Sequence, residues 1–161
     1  MSRLSAGLLL YRHGSDGQLE VLLAHPGGPL WRGKDEHAWS IPKGEYQEGQ
    51  DALSEAEREF TEEIGVSAPP GPRIDLGSVR QAGGKQVHAW GIEAGAWSVT
   101  DVASNEFEME WPPRSGRMLM FPEVDRIEWM TTSDALSRIV KAQADFFDRL
   151  HRALDSKTDP R

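Results

Sequence analysis

Carboxylate side chains are concentrated in one short part of this chain. Between Glu45 and Glu63 there are eight acidic residues and one basic residue, Arg58, which gives this window a net charge of −7 in a chain whose net charge is −8. The acidity therefore belongs to one site and not to the whole surface. Hard divalent cations prefer oxygen ligands of this type. The window predicts a metal-binding site, and an acidic helix face exposed to solvent is the alternative.

A helix is needed to place these carboxylates on one side. Asp51 is a favourable N-cap residue, and Gly65 suits the left-handed conformation that commonly ends a helix. Between them, apolar residues recur every four positions, at Ala52, Ala56, Phe60 and Ile64. This pattern predicts a helix over about 51–64. Like charges three or four residues apart on it cost about 0.2–0.5 kcal/mol per pair, which a bound cation would relieve.

The order of residues in this window resembles the Nudix box, G-x5-E-x7-R-E-U-x-E-E-x-G-U, where U is an apolar residue. Eight of the nine fixed positions match, at Gly44, Arg58, Glu59, Phe60, Glu62, Glu63, Gly65 and Val66. Gln50 stands where the box has its first glutamate. The resemblance implies an α/β fold of the Nudix type, an α/β/α sandwich with a mixed β-sheet.

The same resemblance implies a chemistry. Nudix enzymes hydrolyse a nucleoside diphosphate linked to another group, by attack of water on phosphorus, and the implied cofactor is Mg²⁺ or Mn²⁺. Glu59, Glu62 and Glu63 are the implied metal-binding and catalytic residues, together with the backbone carbonyl of Gly44. Arg58, expected to be buried among these carboxylates, would brace a glutamate and hold the preceding loop onto the helix.

Gln50 removes one negative charge from this set. We expect slower or more metal-demanding turnover, and not inactivity, because Glu59, Glu62 and Glu63 all remain. The alternative is a nucleotide-sensing Nudix domain with weak or no catalysis. A metal-free protein-interaction domain is a more distant alternative, and metal-independent thermal stability would favour it.

The resemblance implies a general base outside the box, because the family often takes it from a later loop. Glu106, Glu108 and Glu110 alternate with apolar residues, and that period places them on one side of an extended segment. Glu108, the central one, is the candidate catalytic base. An ordinary amphipathic edge strand is the alternative explanation.

Cations and aromatic rings are the candidates for substrate binding. Lys43, next to Gly44, is the best-placed cation for phosphate, and Arg32 is a second candidate. Trp39 is a candidate surface for stacking a nucleobase, an interaction worth ~1–3 kcal/mol per base. A tryptophan is more often part of a core or its rim.

Length and composition restrict the class of protein further. The 161 residues suit one domain, predicted over 1–155 with a polar tail at 156–161, and no apolar run is long enough to span a membrane. The absence of cysteine excludes disulfides and thiolate ligands and agrees with a cytoplasmic location. The sequence pI near 5.1 argues against non-specific nucleic-acid binding. The expected partner is a small-molecule nucleotide diphosphate derivative, and the oligomeric state is left open.

The other elements follow from periodicity and turn residues. Strands are predicted at 4–11, 19–24, 74–80, 86–93 and 126–130, and helices at 133–140, capped by Ser133, and at 145–154. Residues 25–38, the position of Gly44 and residues 102–117 are predicted to be loop or irregular. Strands separated by helices in this order predict a mixed sheet between helical layers.

Overall fold

The structure, a computed structural model, describes residues 3–158 of the chain, which form eight strands and three helices. The strands are β1 (Arg3–His13), β2 (Leu19–Pro26), β3 (Lys43–Tyr46), β4 (Ile74–Arg80), β5 (Lys85–Glu93), β6 (Glu106–Glu110), β7 (Met118–Pro122) and β8 (Val124–Thr131). The helices are α1 (Ala52–Ile64), α2 (Thr132–Ala135) and α3 (Asp145–Thr158). None of the helices in this described part is long and apolar enough to cross a membrane.

Strand β1 organises the main sheet. The strand order is β4-β5-β1-β2-β8, and β1 runs parallel to β5 along most of its length. Its other edge is divided between two antiparallel partners. The last residues of β1 pair with β2, and the first residues pair with β3, where Ala6 lies opposite Gly44. This division brings the start of the Nudix-like window into the sheet.

Helices cover both faces of this sheet. Successive residues of β1 point to opposite faces and belong to two different apolar clusters. Leu8 and Leu10 pack on one side with the apolar stripe of α1, formed by Ala56, Phe60 and Ile64. Leu9 packs on the other side with α3, through Phe146 and Leu150. The α/β/α sandwich with a mixed sheet is therefore confirmed.

The local rules for α1 are also confirmed. The Asp51 side chain accepts a hydrogen bond from the Ser54 backbone N–H at 3.0 Å, so Asp51 is the N-cap. Gly65 has φ 97° and its N–H bonds the Thr61 carbonyl, which ends the helix in the left-handed conformation.

Tertiary pairing changed several predicted elements. Gly44 lies in strand β3 and not in a loop, and 102–117 contains β6, which pairs with β7 in a separate two-stranded ribbon. The predicted helix at 133–140 is wrong. It is one turn long, Thr131 caps it instead of Ser133, and the Val140 N–H bonds the Trp39 carbonyl. The chain beyond α2 therefore pairs with the segment that leads into β3.

The C-terminal helix is longer than predicted. It was expected to end at 154, but α3 continues to Thr158, so the first residues of the predicted tail are helical. The rest of that tail, 159–161, lies outside the described residues.

Candidate active site

Strand β3 places Gly44 directly against α1. Any side chain at residue 44 would clash with the Glu59 carboxylate, which occupies the space where a Cβ would stand. The absence of a side chain is thus what allows the strand backbone and this carboxylate to meet. Gly44 and Glu59, both predicted as metal ligands, lie side by side.

Arg58 connects three carboxylates on the surface of α1. Its guanidinium donates to Glu55 at 2.8 Å, to Glu62 at 2.7 Å and to Glu59 at 3.0 Å. Its side chain is 49% exposed, so the expectation that Arg58 is buried is wrong. The long side chain lies along the helix and reaches these carboxylates from the solvent side, where it holds Glu59 and Glu62 in one arrangement.

Glu63 is held by the residue that precedes Gly44. The Lys43 backbone N–H donates to Glu63 Oε2 at 3.2 Å, and the Lys43 ammonium also interacts electrostatically with this carboxylate. Residue 43 therefore ties the end of α1 to β3.

Glu123, which the sequence did not single out, belongs to the same acidic group. Its charge acts on Glu59 and Glu63, and the charge of Glu62 acts on Glu123 in turn. No local pattern marks it, because it lies alone between β7 and β8. Only its charge and its position after a strand end could have suggested a role.

Backbone hydrogen bonds explain how Glu123 reaches this place. The Asn105 N–H bonds the Glu62 carbonyl at 2.9 Å, and the Glu123 N–H bonds the Asn105 carbonyl at 2.8 Å. The Gly27 N–H then bonds the Glu123 carbonyl at 3.0 Å. The base of the β6–β7 ribbon is thereby attached both to the end of α1 and to the glycine turn after β2.

Burial and neighbouring negative charges act together on this acidic group. Burial raises the pKa of Glu63, and Glu123 and Glu59 raise it further, against the opposing effect of Lys43. Burial also raises the pKa of Glu59 and of Glu123, and the neighbouring charge of Glu62 adds to both. Carboxylates that raise one another's pKa in this way favour a bound positive charge.

These residues fit a divalent metal by chemistry and by charge. Four carboxylates and a glycine backbone supply only oxygen donors, which is the ligand type that Mg²⁺ and Mn²⁺ take. No three acidic or histidine side chains among residues 3–158 are already arranged around one ion position. Glu59 and Glu62 are turned towards Arg58, and Glu63 towards the Lys43 N–H, so side-chain rotation would have to accompany metal binding.

Two other predicted site residues, Glu108 and Arg32, have exposed side chains. Glu108 lies opposite Met120 on the exposed face of the β6–β7 ribbon, and its side chain forms no hydrogen bond or ion pair with the described residues. Arg32 is exposed in the loop between β2 and β3.

Trp39 is fully buried, so the prediction that it stacks a nucleobase is wrong. Its Nε1–H donates to Asp35 at 2.6 Å, and the edge of its ring packs on His25 with centroids 5.1 Å apart. Trp39 is a core residue that anchors the segment leading into β3.

Gln50 has a structural partner in the turn before α1. Its side-chain oxygen accepts a hydrogen bond from the Gln47 N–H at 2.7 Å. Gln50 and Arg58 both line an open groove beside β3, although no direct bond joins them. A glutamate at residue 50 would keep the same acceptor and add a charge next to Arg58.

Comparison with known proteins agrees with this fold and site. The chain is similar to a C. elegans Ap4A hydrolase, with TM-score 0.64, 21% identity and coverage of 96% of this chain and 98% of that one. It is also similar to the Nudix domain of Shewanella oneidensis NrtR, with TM-score 0.62, 15% identity and coverage of 96% and 89%. A MutT protein from Methanosarcina mazei gives TM-score 0.58, 21% identity and 95% coverage of both chains. At these identities the likeness concerns the fold.

The class of protein to which this fold and site belong is shown by a family model. The NUDIX domain model matches residues 1–150, so this chain belongs to the Nudix family and is a Nudix hydrolase. Nudix hydrolases act on nucleotide pyrophosphates and generally use divalent metals. The resemblance found in residues 44–66 is thus confirmed over nearly the whole chain.

Proposed function

We propose that this chain is a divalent-metal-dependent pyrophosphohydrolase that cleaves a nucleoside diphosphate linked to another group, such as a nucleoside triphosphate or a dinucleoside polyphosphate. The observation that supports it most is that the Glu59 carboxylate lies against the bare backbone of Gly44 while the charges of Glu59 and Glu123 act on Glu63. Mg²⁺ or Mn²⁺ is the proposed cofactor, and a cytoplasmic location is proposed from the cysteine-free composition.

Each residue has a role in this proposal. Glu59, Glu62 and Glu63 hold the metal with the Gly44 carbonyl, and Arg58 orients Glu59 and Glu62 from outside. A divalent ion in such a site neutralises phosphoryl charge and makes water more acidic. The side chains of this chain must then orient the phosphates and accept a proton from the attacking water.

Glu123 is the proton acceptor we propose, in place of Glu108. Glu123 interacts with the α1 carboxylates, and its pKa is raised by burial and by Glu62, which moves it towards neutral pH as a general base requires. Glu108 points to the exposed side of the β6–β7 ribbon. Lys43 and Arg32 remain the proposed phosphate-binding cations.

The same geometry allows a second candidate, a nucleotide-sensing domain with weak or no catalysis. Gln50 favours it, since the chain lacks one carboxylate of the box. The NrtR Nudix domain, which has a similar fold, was solved with ADP-ribose. Glu59, Glu62 and Glu63 are all present, however, and for that reason we place the enzyme first.

Turnover on a nucleotide panel tests the proposal. The panel contains diadenosine polyphosphates, ADP-ribose, NADH, nucleotide sugars and plain or oxidised dNTPs, with Mg²⁺ or Mn²⁺ and an EDTA control. Phosphate release is measured after phosphatase coupling. Metal-dependent release on one substrate, lost in Glu63→Gln, is the expected result. Equal background rates for the wild type and Glu63→Gln on every compound would favour the sensor.

A further inference from the structure

The hydroxyl of Ser104 bonds the backbone of the residue that directly follows Glu123. Ser104 Oγ accepts a hydrogen bond from the Val124 N–H at 3.0 Å. The same oxygen lies 3.1 Å from the Val124 carbonyl and 2.9 Å from the Asn105 carbonyl. A hydroxyl has one proton to donate, so the two carbonyls share it. One side chain therefore connects the start of β8 to the segment that leads into β6.

The pairing of β2 with β8 is irregular at this point. The register shifts between His25 and Pro26, where Asp125 is the extra residue of a β-bulge. Pro26 lies opposite Val124 and has no N–H to donate across the ladder. Ser104 Oγ lies within hydrogen-bond distance of both backbone polar groups of Val124. The serine thus supplies hydrogen-bonding capacity where the regular strand pairing is interrupted.

Both peptide groups that flank Glu123 are held by hydrogen bonds. On one side, the Glu123 N–H bonds the Asn105 carbonyl at 2.8 Å. On the other side, the Gly27 N–H bonds the Glu123 carbonyl at 3.0 Å, and the Val124 N–H bonds Ser104 Oγ. Two planar peptide groups held in this way fix φ and ψ of the residue between them, and with them the direction of its side chain. Of these three bonds, the one to Ser104 is made by a side chain, so a substitution can remove it.

The direction of the Glu123 side chain matters because its carboxylate belongs to the acidic group on α1. The charge of Glu123 acts on Glu63. The Asn105 N–H bonds the Glu62 carbonyl near the end of α1 at 2.9 Å. The short segment that contains Ser104 is therefore bonded to α1 and to the start of β8, and it sets the position of one relative to the other.

We propose that Ser104 is a positioning residue for hydrolysis, whose hydroxyl fixes the backbone at residue 124 and so holds the Glu123 carboxylate where it accepts the proton of the attacking water. The proposal rests on the proposed function, in which Glu123 is the proton acceptor. As the water oxygen bonds phosphorus, its proton passes to Glu123, and the bond from phosphorus to the leaving phosphate oxygen breaks. Ser104 contacts neither the phosphates nor the metal in this step and acts only through the position of Glu123.

Steady-state kinetics test this role on the panel compound that the wild type hydrolyses fastest. Ser104→Ala should lower kcat at least about tenfold and change KM less than about twofold, because a misplaced base slows the reaction without weakening substrate binding. Ser104→Thr keeps the hydroxyl and should retain kcat within about threefold of the wild type. The matched control is Ser115→Ala, since Ser115 Oγ also accepts a backbone N–H, from Arg117 at 3.2 Å, in the exposed turn of the ribbon. Wild-type kcat in Ser104→Ala would overturn the proposal.

A double-mutant cycle separates positioning of Glu123 from a general loss of structure. If Ser104 acts only through Glu123, adding Ser104→Ala to Glu123→Gln should slow the reaction by less than about twofold. A general structural role would multiply the two losses, and that result would overturn the proposal. Melting temperatures show whether each variant is folded at the assay temperature. Ser104→Cys, whose thiol has a similar shape but bonds weakly, replaces Ser104→Ala if the alanine variant unfolds, and it should show the same loss of kcat.

Amide hydrogen exchange tests the hydrogen bond itself without turnover. In NMR spectra of the metal-free protein, the Val124 amide should exchange at least about tenfold faster in Ser104→Ala than in the wild type. Equal exchange rates would overturn the proposal, because the Ser104 hydroxyl would then not hold residue 124.

The role of Ser104 and the proposed function fail in different ways. Metal-dependent turnover that Ser104→Ala leaves unchanged would refute the role of Ser104 and leave the hydrolase intact. Absence of turnover by the wild type on every compound would refute the proposed function, and with it any role of Ser104 in hydrolysis.

Discussion

Gly44 and the carboxylate of Glu59 are in direct contact, and Glu59 fills the space that a side chain at residue 44 would need. The contact joins β3 to α1 at the point where we place the metal. A methyl group at residue 44 must therefore displace either the strand or the carboxylate.

We expect Gly44→Ala to lower kcat about 100-fold, because a displacement of about 1 Å at a reacting site can cost that much. The protein should still fold, and circular dichroism with thermal melting would show it. Gly17→Asn is the control, because Gly17 has φ 81° in open space, a conformation that asparagine tolerates. Wild-type kcat in Gly44→Ala would contradict the role of this contact.

Glu63→Gln should abolish turnover and leave the fold intact. The substitution keeps the side-chain volume and an oxygen for the Lys43 N–H, but it removes the charge that binds metal. Activity is measured by phosphate release, and folding by the melting temperature without metal. Glu93→Gln, an exposed glutamate at the end of β5, should behave as the wild type does. Glu63→Gln activity within about tenfold of wild type, a barrier change of only about 1.4 kcal/mol, would disprove the assignment.

Gln50→Glu should raise activity or lower the metal concentration needed for half-maximal activity. The new carboxylate adds negative charge near Arg58 while it keeps the hydrogen bond from the Gln47 N–H. Metal titrations of the initial rate measure the effect. Gln47→Glu adds the same charge in the same turn and serves as the control. Identical metal titrations for wild type and Gln50→Glu would mean that the charge at residue 50 affects neither activity nor the metal requirement.

Glu123→Gln should reduce kcat by about 10²–10⁴, the range for a general base, and Glu108→Gln should leave it within a few fold of wild type. Both substitutions remove one negative charge, so each is the control for the other. The pH–rate profile of Glu123→Gln should also lose its acidic limb. The reverse order of effects would restore Glu108 as the base.

Trp39→Phe should destabilise the protein by about 1–3 kcal/mol, since it removes the hydrogen bond to Asp35 from a fully buried side chain. Urea unfolding measures this, and KM should stay near the wild-type value. Trp31→Phe, at a residue that is 41% exposed, should leave stability unchanged. A raised KM with unchanged stability would revive the base-stacking hypothesis.

The amino-acid sequence by itself determined the helix and its chemistry. Asp51, the four-residue apolar period and Gly65 set the limits of α1 through contacts between near neighbours in the chain. The same spacing placed Glu59, Glu62 and Glu63 on it and indicated the Nudix family. Rules of capping and periodicity act within a few residues, so one sequence is enough to apply them.

Only the tertiary structure decided which distant residues join that helix. Glu123 reaches the carboxylates through Asn105 and the end of α1, Trp39 is fully buried, and Gly44 lies opposite Ala6 through the antiparallel register of β1 and β3. Strand register and the burial of a single ring depend on contacts between segments far apart in sequence. Local sequence patterns do not specify those contacts, because the contacts form only when two distant segments pack against each other.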